Sequence, residues 1–258
     1  TTLNGEGIQH QDGHSQVVAN TYPNLKSYDP AFAYELVVIV REGIHRMYKL
    51  QENIFYYITA YNENYVMPAM PVDKVSQKGI LAGAYHFTST KSEITSEIHL
   101  LGSGSIMQQV LNAKEKLEGL GFEVSIWSVT SYNELYREAE ECDRQNRLHP
   151  FKKPKNAYIQ KLFAQTRGVY VSASDYMKCL GNSIAPWMPS SYCVLGTDGY
   201  GVSETREDLR SYFEISSDYI CHAALVGLFK IDRISSNELK QSCKGLDIKP
   251  SKPNPIYR

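Results

Sequence analysis

The first sixteen residues, Thr-Thr-Leu-Asn-Gly-Glu-Gly-Ile-Gln-His-Gln-Asp-Gly-His-Ser-Gln, crowd three glycines, two histidines and two acids into a stretch with no apolar period. Gly5, Gly7 and Gly13 let the backbone turn tightly, which suits a loop that presents side chains. His10 changes protonation near neutral pH, and Glu6 could hold its imidazole in one tautomer. The chemistry on offer is proton exchange or hydrogen bonding at a reacting centre, so the segment reads as a candidate active-site loop. A disordered polar terminus has the same composition, and the residues alone leave both readings open.

Other constellations carry less. His10 and His14 are four apart, a metal-ligand spacing on a helix, but the glycines argue against a helix and no Glu follows His10 directly. No metal site is expected. His45, His86, His99, His149 and His222 have no partner pattern and read as structural or exposed; Trp127 and Trp187 read as packing residues. Gly102-Ser103-Gly104 follows a strand pattern as a dinucleotide fingerprint does, but Met107 holds the third glycine's place. Gly196-Thr197-Asp198-Gly199-Tyr200-Gly201 has neither the spacing nor the Lys-Ser/Thr ending of a phosphate loop.

The elements that must position such a loop are those of an α/β chain. With 258 residues, 42% of them hydrophobic, the chain can bury a substantial core. Asp29 as cap and Pro30 at the first position predict a helix to about Tyr48, apolar on more than one face around Val37–Val40 and so mostly buried. Asn53–Thr59, aromatic and β-branched without alternation, reads as an inner strand covered on both faces. Pro68, Pro71, Gly79 and Gly83 break any period, so 67–90 reads as a linker between a first region at 1–66 and a second at 91–258. In the second, strands at Glu97–Leu101, Phe122–Val129, Gly168–Ala173 and Tyr192–Leu195 alternate with helices from Ile106 and Asn133. Further helices are expected near Ser203, Ser216 and Ser235, and such alternation argues for a mostly parallel sheet.

Charge excludes little and favours nothing. There are 27 basic and 28 acidic residues, so neither nucleic acid nor an anionic membrane is expected as a partner, although local patches remain open. No apolar run is long enough to span a bilayer, and the amino terminus has no secretory pattern. Cys142, Cys179, Cys193, Cys221 and Cys243 lack any Cys-x-x-Cys pair and fit a reducing cytoplasm.

Many blocks in one order resemble a single family. Leu3–His10 and Asp12–Ser15 are similar to the histidine loop of the homodimeric type of pyruvate dehydrogenase, the thiamine-diphosphate-dependent decarboxylating component of its complex. Ser27–Ala31, Asn62–Tyr65, Met67–Pro71, Leu101–Ser105, Ser128–Ser131, Leu148–Pro150, Asp175–Lys178 and Leu195–Gly199 extend the resemblance along the chain. It implies the end of a transketolase-like pyrimidine-binding domain, carrying the histidine loop, followed by a transketolase-like carboxy-terminal domain. It also implies decarboxylation of pyruvate, reductive acetylation of the lipoyl group of dihydrolipoyl acetyltransferase, and a homodimer with active sites at the subunit interface. His10 falls at the active-site histidine and Glu6 at a nearby acid of that site; His14 would only orient.

The resemblance also shows what to expect missing. No Gly-Asp-Gly with a downstream Asn is present to hold magnesium and the diphosphate of thiamine diphosphate, nor the segment whose glutamate activates the aminopyrimidine. The chain is therefore expected to be a carboxy-terminal portion, inactive alone, whose loop completes a pocket built mostly elsewhere. Two alternatives stand beside this: a non-catalytic dimerisation or docking module of that enzyme, and another transketolase-like enzyme acting on a 2-keto acid or ketose.

Overall fold

A computed structural model describes residues 1–71, 74–90, 96–189 and 191–257. The expected linker and second region include residues 72, 73, 91–95, 190 and 258, which lie outside the described residues.

After the glycine-rich loop come α1 (Ser15–Ala19), β1 (Leu25–Tyr28), α2 (Ala33–Ile44) and β2 (Phe55–Ile58), with a π-helical turn at His45–Lys49 ending the long helix. β1 and β2 pair in parallel, so this first unit is a right-sized β-α-β crossover on a two-stranded sheet. Next come α3 (Lys74–Ala82), β3 (Ala84–Ser89), β4 (Ile98–Gly102), α4 (Met107–Gly119), β5 (Val124–Val129), α5 (Tyr132–Leu148), α6 (Tyr158–Leu162) and β6 (Val169–Ala173). The order closes with α7 (Lys178–Asn182), β7 (Tyr192–Leu195), α8 (Arg206–Tyr212), α9 (Ser217–Lys230) and α10 (Ser236–Ser242). These strands form one five-stranded sheet in the order β3-β5-β4-β6-β7, parallel except for β3, which runs antiparallel to β5 at the edge.

The α/β class and the mostly parallel sheet thus agree with expectation. β4, β5 and β6 are buried along their whole length, as strands covered by helices on both faces must be. Alternation along β4 sends Ile98 and Leu100 into one core with Val110 and Leu117 of α4 and Leu225 and Leu228 of α9, and Leu101 into the other with Trp127, Leu135 and Tyr170. His99 lies in that second core, stacked on Tyr170 at 4.8 Å and accepting at Nδ1 from the Trp127 indole at 3.3 Å. Burial pushes its imidazole down to about 4, so it stays neutral there. No helix among the described residues is long and apolar enough to cross a membrane.

Four local expectations need correction. The long helix begins at Ala33 because Asp29 is already held by the Thr59 and Tyr61 hydroxyls; Glu35 instead reaches back to the Ala31 and Phe32 amides, at 2.6 and 3.1 Å. That helix is not mostly buried: Ile39 is, but Val37, Val40, Ile44 and Tyr48 lie exposed on one stripe. β2 alternates between exposed and half-buried residues, and among the described residues it pairs with β1 alone. The stretch expected as a linker holds α3 and β3 of the five-stranded sheet, and β3 is tied in by β5. Smaller shifts occur at the caps. Thr205 rather than Ser203 caps α8, its Oγ1 accepting the Asp208 amide at 3.2 Å, whereas Ser235 caps α10 reciprocally with Glu238 as expected.

Candidate active site

The amino-terminal loop is packed against the chain. Gly5 and Gly7 both have positive φ, at 70° and 76°, where a side chain would be strained, and the turn closes with the His10 amide donating to the Gly7 carbonyl at 3.2 Å. Gln11 staples it: its Nε2 donates to the Leu3 and Val202 carbonyls, each at 2.9 Å, and its Oε1 accepts the Val202 amide at 3.1 Å. Asp12 Oδ1 accepts the His14 and Ser15 amides, which starts α1. Thr2 is buried, its amide donating to the Asp175 carboxylate at 3.0 Å.

The loop so fixed forms one wall of a cavity of about 460 Å³. His10 and Asp12 line that wall; Tyr57 to Glu63, running off the end of β2, line a second; Asp175, Tyr176 and Arg206 close the rest. Arg206 donates to the Asn62 side chain at 2.7 Å and lies 3.7 Å from Glu63, which also pairs with Arg210. The 57–63 wall is therefore clamped to the first turns of α8. His10 reaches the cavity with an exposed imidazole, free to meet a bound molecule. Glu6 stands 3.8 Å from His10 Nε2, within reach of an ion pair and beyond a hydrogen bond, so it does not fix the tautomer in this arrangement. Glu6 is outside the cavity lining, and His14 faces Tyr200 instead, with ring centroids 6.1 Å apart. Among the described residues no group of three His, Cys, Asp or Glu side chains could hold a metal ion.

Asp29 escaped the sequence reading. It sits beneath the 57–63 wall, buried, with Oδ1 accepting from Thr59 Oγ1 and Tyr61 OH, each at 2.6 Å, while Oδ2 has no partner among the described residues. Gly104, at φ 49°, makes room for it, since a Cβ there would come 2.5 Å from Tyr61 OH and 2.7 Å from Asp29 Oδ1. The glycine turn after β4 thus serves the approach of this cluster. Burial pushes the Asp29 carboxyl up to about 6, against the pull of its hydroxyl partners. Because the folded chain then holds a proton that the unfolded chain has released, stability falls as pH rises from about 3.8 to about 6, by about 3 kcal/mol in all. Asp29→Asn, which keeps an acceptor for both hydroxyls and carries no charge, should remove this slope. Urea midpoints at pH 4.5 and 7.5 check it: the variant should gain on the parent at the higher pH, and an equal difference at both would rule the assignment out.

The short blocks Ser27–Ala31, Asn62–Tyr65 and Asp175–Lys178 contain Asp29, Asn62, Glu63, Asp175 and Tyr176, so the resemblance had marked these stretches without giving them a role. Arg206 lay in no such block.

Comparison with known proteins shows which families the chain resembles. Residues 1–68 match the pyruvate dehydrogenase E1 component middle domain, and residues 83–216 match the transketolase-like C-terminal domain. The chain is 45% identical over 258 residues to the pyruvate dehydrogenase E1 component of Pseudomonas aeruginosa, covering 99% of this chain and 29% of that protein. It is 43% identical to the Escherichia coli protein of the same name, covering 99% and 28%. The chain therefore spans less than a third of the length of these curated relatives. Among solved structures, a transketolase from Campylobacter jejuni superposes with a TM-score of 0.59 at 18% identity, covering 90% of this chain and 30% of that one. A split-gene transketolase, described as an inactive beta4 tetramer, superposes at 0.51 and 14% identity over 86% and 63%. At such identities these structures speak for the fold alone.

Proposed function

We propose, from the premise that this chain belongs to the transketolase-like C-terminal domain family and is homologous throughout to pyruvate dehydrogenase E1 components, that it supplies the histidine wall of such an enzyme's active site. The whole protein would decarboxylate pyruvate with thiamine diphosphate and reductively acetylate the lipoyl group of dihydrolipoyl acetyltransferase. The single observation that carries this reading is the place of His10, an accessible imidazole on the wall of a cavity large enough for a small ligand.

The side chains around that cavity do not fit the diphosphate and metal end of the cofactor. Asp12, Glu63 and Asp175 would repel a diphosphate, and Arg206 is committed to Asn62 and Glu63. This chain's proposed part is confined to what its own residues do. His10 holds or moves a proton at an imidazole nitrogen; Glu6 stands 3.8 Å from it; the Asp29, Thr59 and Tyr61 cluster and the Glu63–Arg210 pair hold the opposite wall. Magnesium, a homodimer and a cytoplasmic location complete the proposal. The exposed apolar stripe of Val37, Val40, Ile44 and Tyr48 supports an assembly with a further protein surface.

The test is thiamine-diphosphate-dependent release of carbon dioxide from pyruvate by the full-length protein, with 2-oxoglutarate and a ketose phosphate assayed beside it. Pyruvate should be preferred, and this chain alone should turn over nothing. Preference for a ketose phosphate would overturn the substrate, and turnover by the isolated chain would overturn the division of labour.

A further inference from the structure

At the far end of α5 the chain changes sign. From Arg144 to Ala157 there is no acid, and Arg147, Lys152, Lys153 and Lys155 stand among Leu148, Pro150, Phe151 and Pro154. Every residue from Arg147 to Asn156 is exposed, and Phe151 is 102% exposed, with its ring wholly in water. None of the four bases is ion-paired among the described residues.

The loop is nonetheless built. Asn146 Nδ2 donates to the Lys155 carbonyl at 2.8 Å and Asn146 Oδ1 accepts the Lys155 amide at 2.9 Å, so the two ends are clasped. The Lys152 amide donates to the His149 carbonyl at 3.0 Å, and two prolines restrict the backbone further. A convex, basic, preformed loop with an aromatic tip loses little freedom on binding, which is the economy of a recognition element.

The neighbouring charges decide what it would meet. The preceding turns of α5 expose Glu138, Glu140, Glu141 and Asp143. Three of these are engaged within the chain: Glu138 accepts the Tyr158 amide, Glu141 pairs with Arg144, and Asp143 accepts the Trp187 indole. An extended polyanion, whether nucleic acid or an anionic bilayer, would have to lie across this acidic flank. A compact acidic patch would not. We infer that the loop from Arg147 to Lys155 is a docking element for an acidic protein segment that offers Phe151 an apolar socket. The inference does not depend on the proposed catalytic reading.

Fluorescence anisotropy of a labelled peptide of alternating glutamate and leucine, titrated with the full-length protein, tests it. Binding should weaken about tenfold or more in Lys152→Glu/Lys153→Glu, by a similar factor in Phe151→Ser, and steeply with added salt. Both variants lie outside the core, and unchanged thermal melting would establish that they fold. Absence of peptide binding, or binding indifferent to either variant, overturns the inference. So does tighter binding of phosphatidylserine vesicles or duplex DNA that depends on Lys152 and Lys153.

Discussion

In the full-length protein, His10→Ala is expected to lower pyruvate turnover by about 10²–10⁴, the range in which a well-placed general acid or base contributes, while cofactor affinity changes by about twofold or less. The separation follows from geometry. His10 meets the cavity from the loop, exposed and, among the described residues, without a hydrogen-bonding partner of its own side chain, so its loss disturbs no packing and removes only what the imidazole does to a bound molecule. The backbone of the loop is held by Gln11, Gly5 and Gly7, none of which needs the imidazole. Glu6→Gln should cost far less, because across 3.8 Å between two exposed groups water screens most of the interaction. Steady-state turnover and calorimetric cofactor affinity, measured on one preparation of each variant, distinguish the roles. Equal losses of turnover and affinity would mean that His10 builds the pocket rather than acting in it.

What was legible beforehand, and what was not, follows one physical division. The buried strands β4, β5 and β6 and the helix α5 declare themselves through local composition, because each is decided by its own apolar pattern and cap. The first region misled for the opposite reason. Val37–Val40 and Phe55–Ile58 are apolar enough for a core, yet among the described residues α2 and β2 leave one face exposed, and composition cannot say whether a greasy face is covered by the same chain. The loop carrying His10 stood out because a glycine-rich polar stretch with a histidine is unusual, and it forms a wall of the cavity. Asp29 was not, because Asp-Pro before a helical run is the ordinary signature of a cap. Only the approach of Thr59 and Tyr61, thirty residues on and without a local signal, turns it into a buried carboxyl under the cavity wall.

Glu35 is one of the points at which the two regions depend on each other, and Glu35→Ala is expected to cost about 3–5 kcal/mol of folding stability. The carboxylate is fully buried and accepts four hydrogen bonds: the Ala31 and Phe32 amides of its own helix start, Tyr85 OH from β3 at 2.8 Å, and Ser128 Oγ from β5 at 2.6 Å. Tyr34 OH joins Tyr85 OH, so the helix is bonded twice to the sheet edge. Alanine leaves the Ala31 and Phe32 amides and Ser128 Oγ buried without that acceptor, and Tyr85 OH with Tyr34 OH as its partner; each stranded donor costs more than the bond contributed. Against a total stability of roughly 5–15 kcal/mol, such a loss brings the chain near its unfolding threshold. Glu35→Gln keeps the shape and one oxygen, so it should cost less than half as much. Burial outweighs the hydrogen bonds and raises the Glu35 carboxyl above 4.5, so the parent chain should lose stability as pH rises from that value, a slope that Gln abolishes. Urea unfolding of the three chains at pH 4.5 and 7.5 reads both effects. If alanine cost no more than glutamine, the joint between α2 and the five-stranded sheet would have to lie elsewhere, with Glu35 merely sealed inside it.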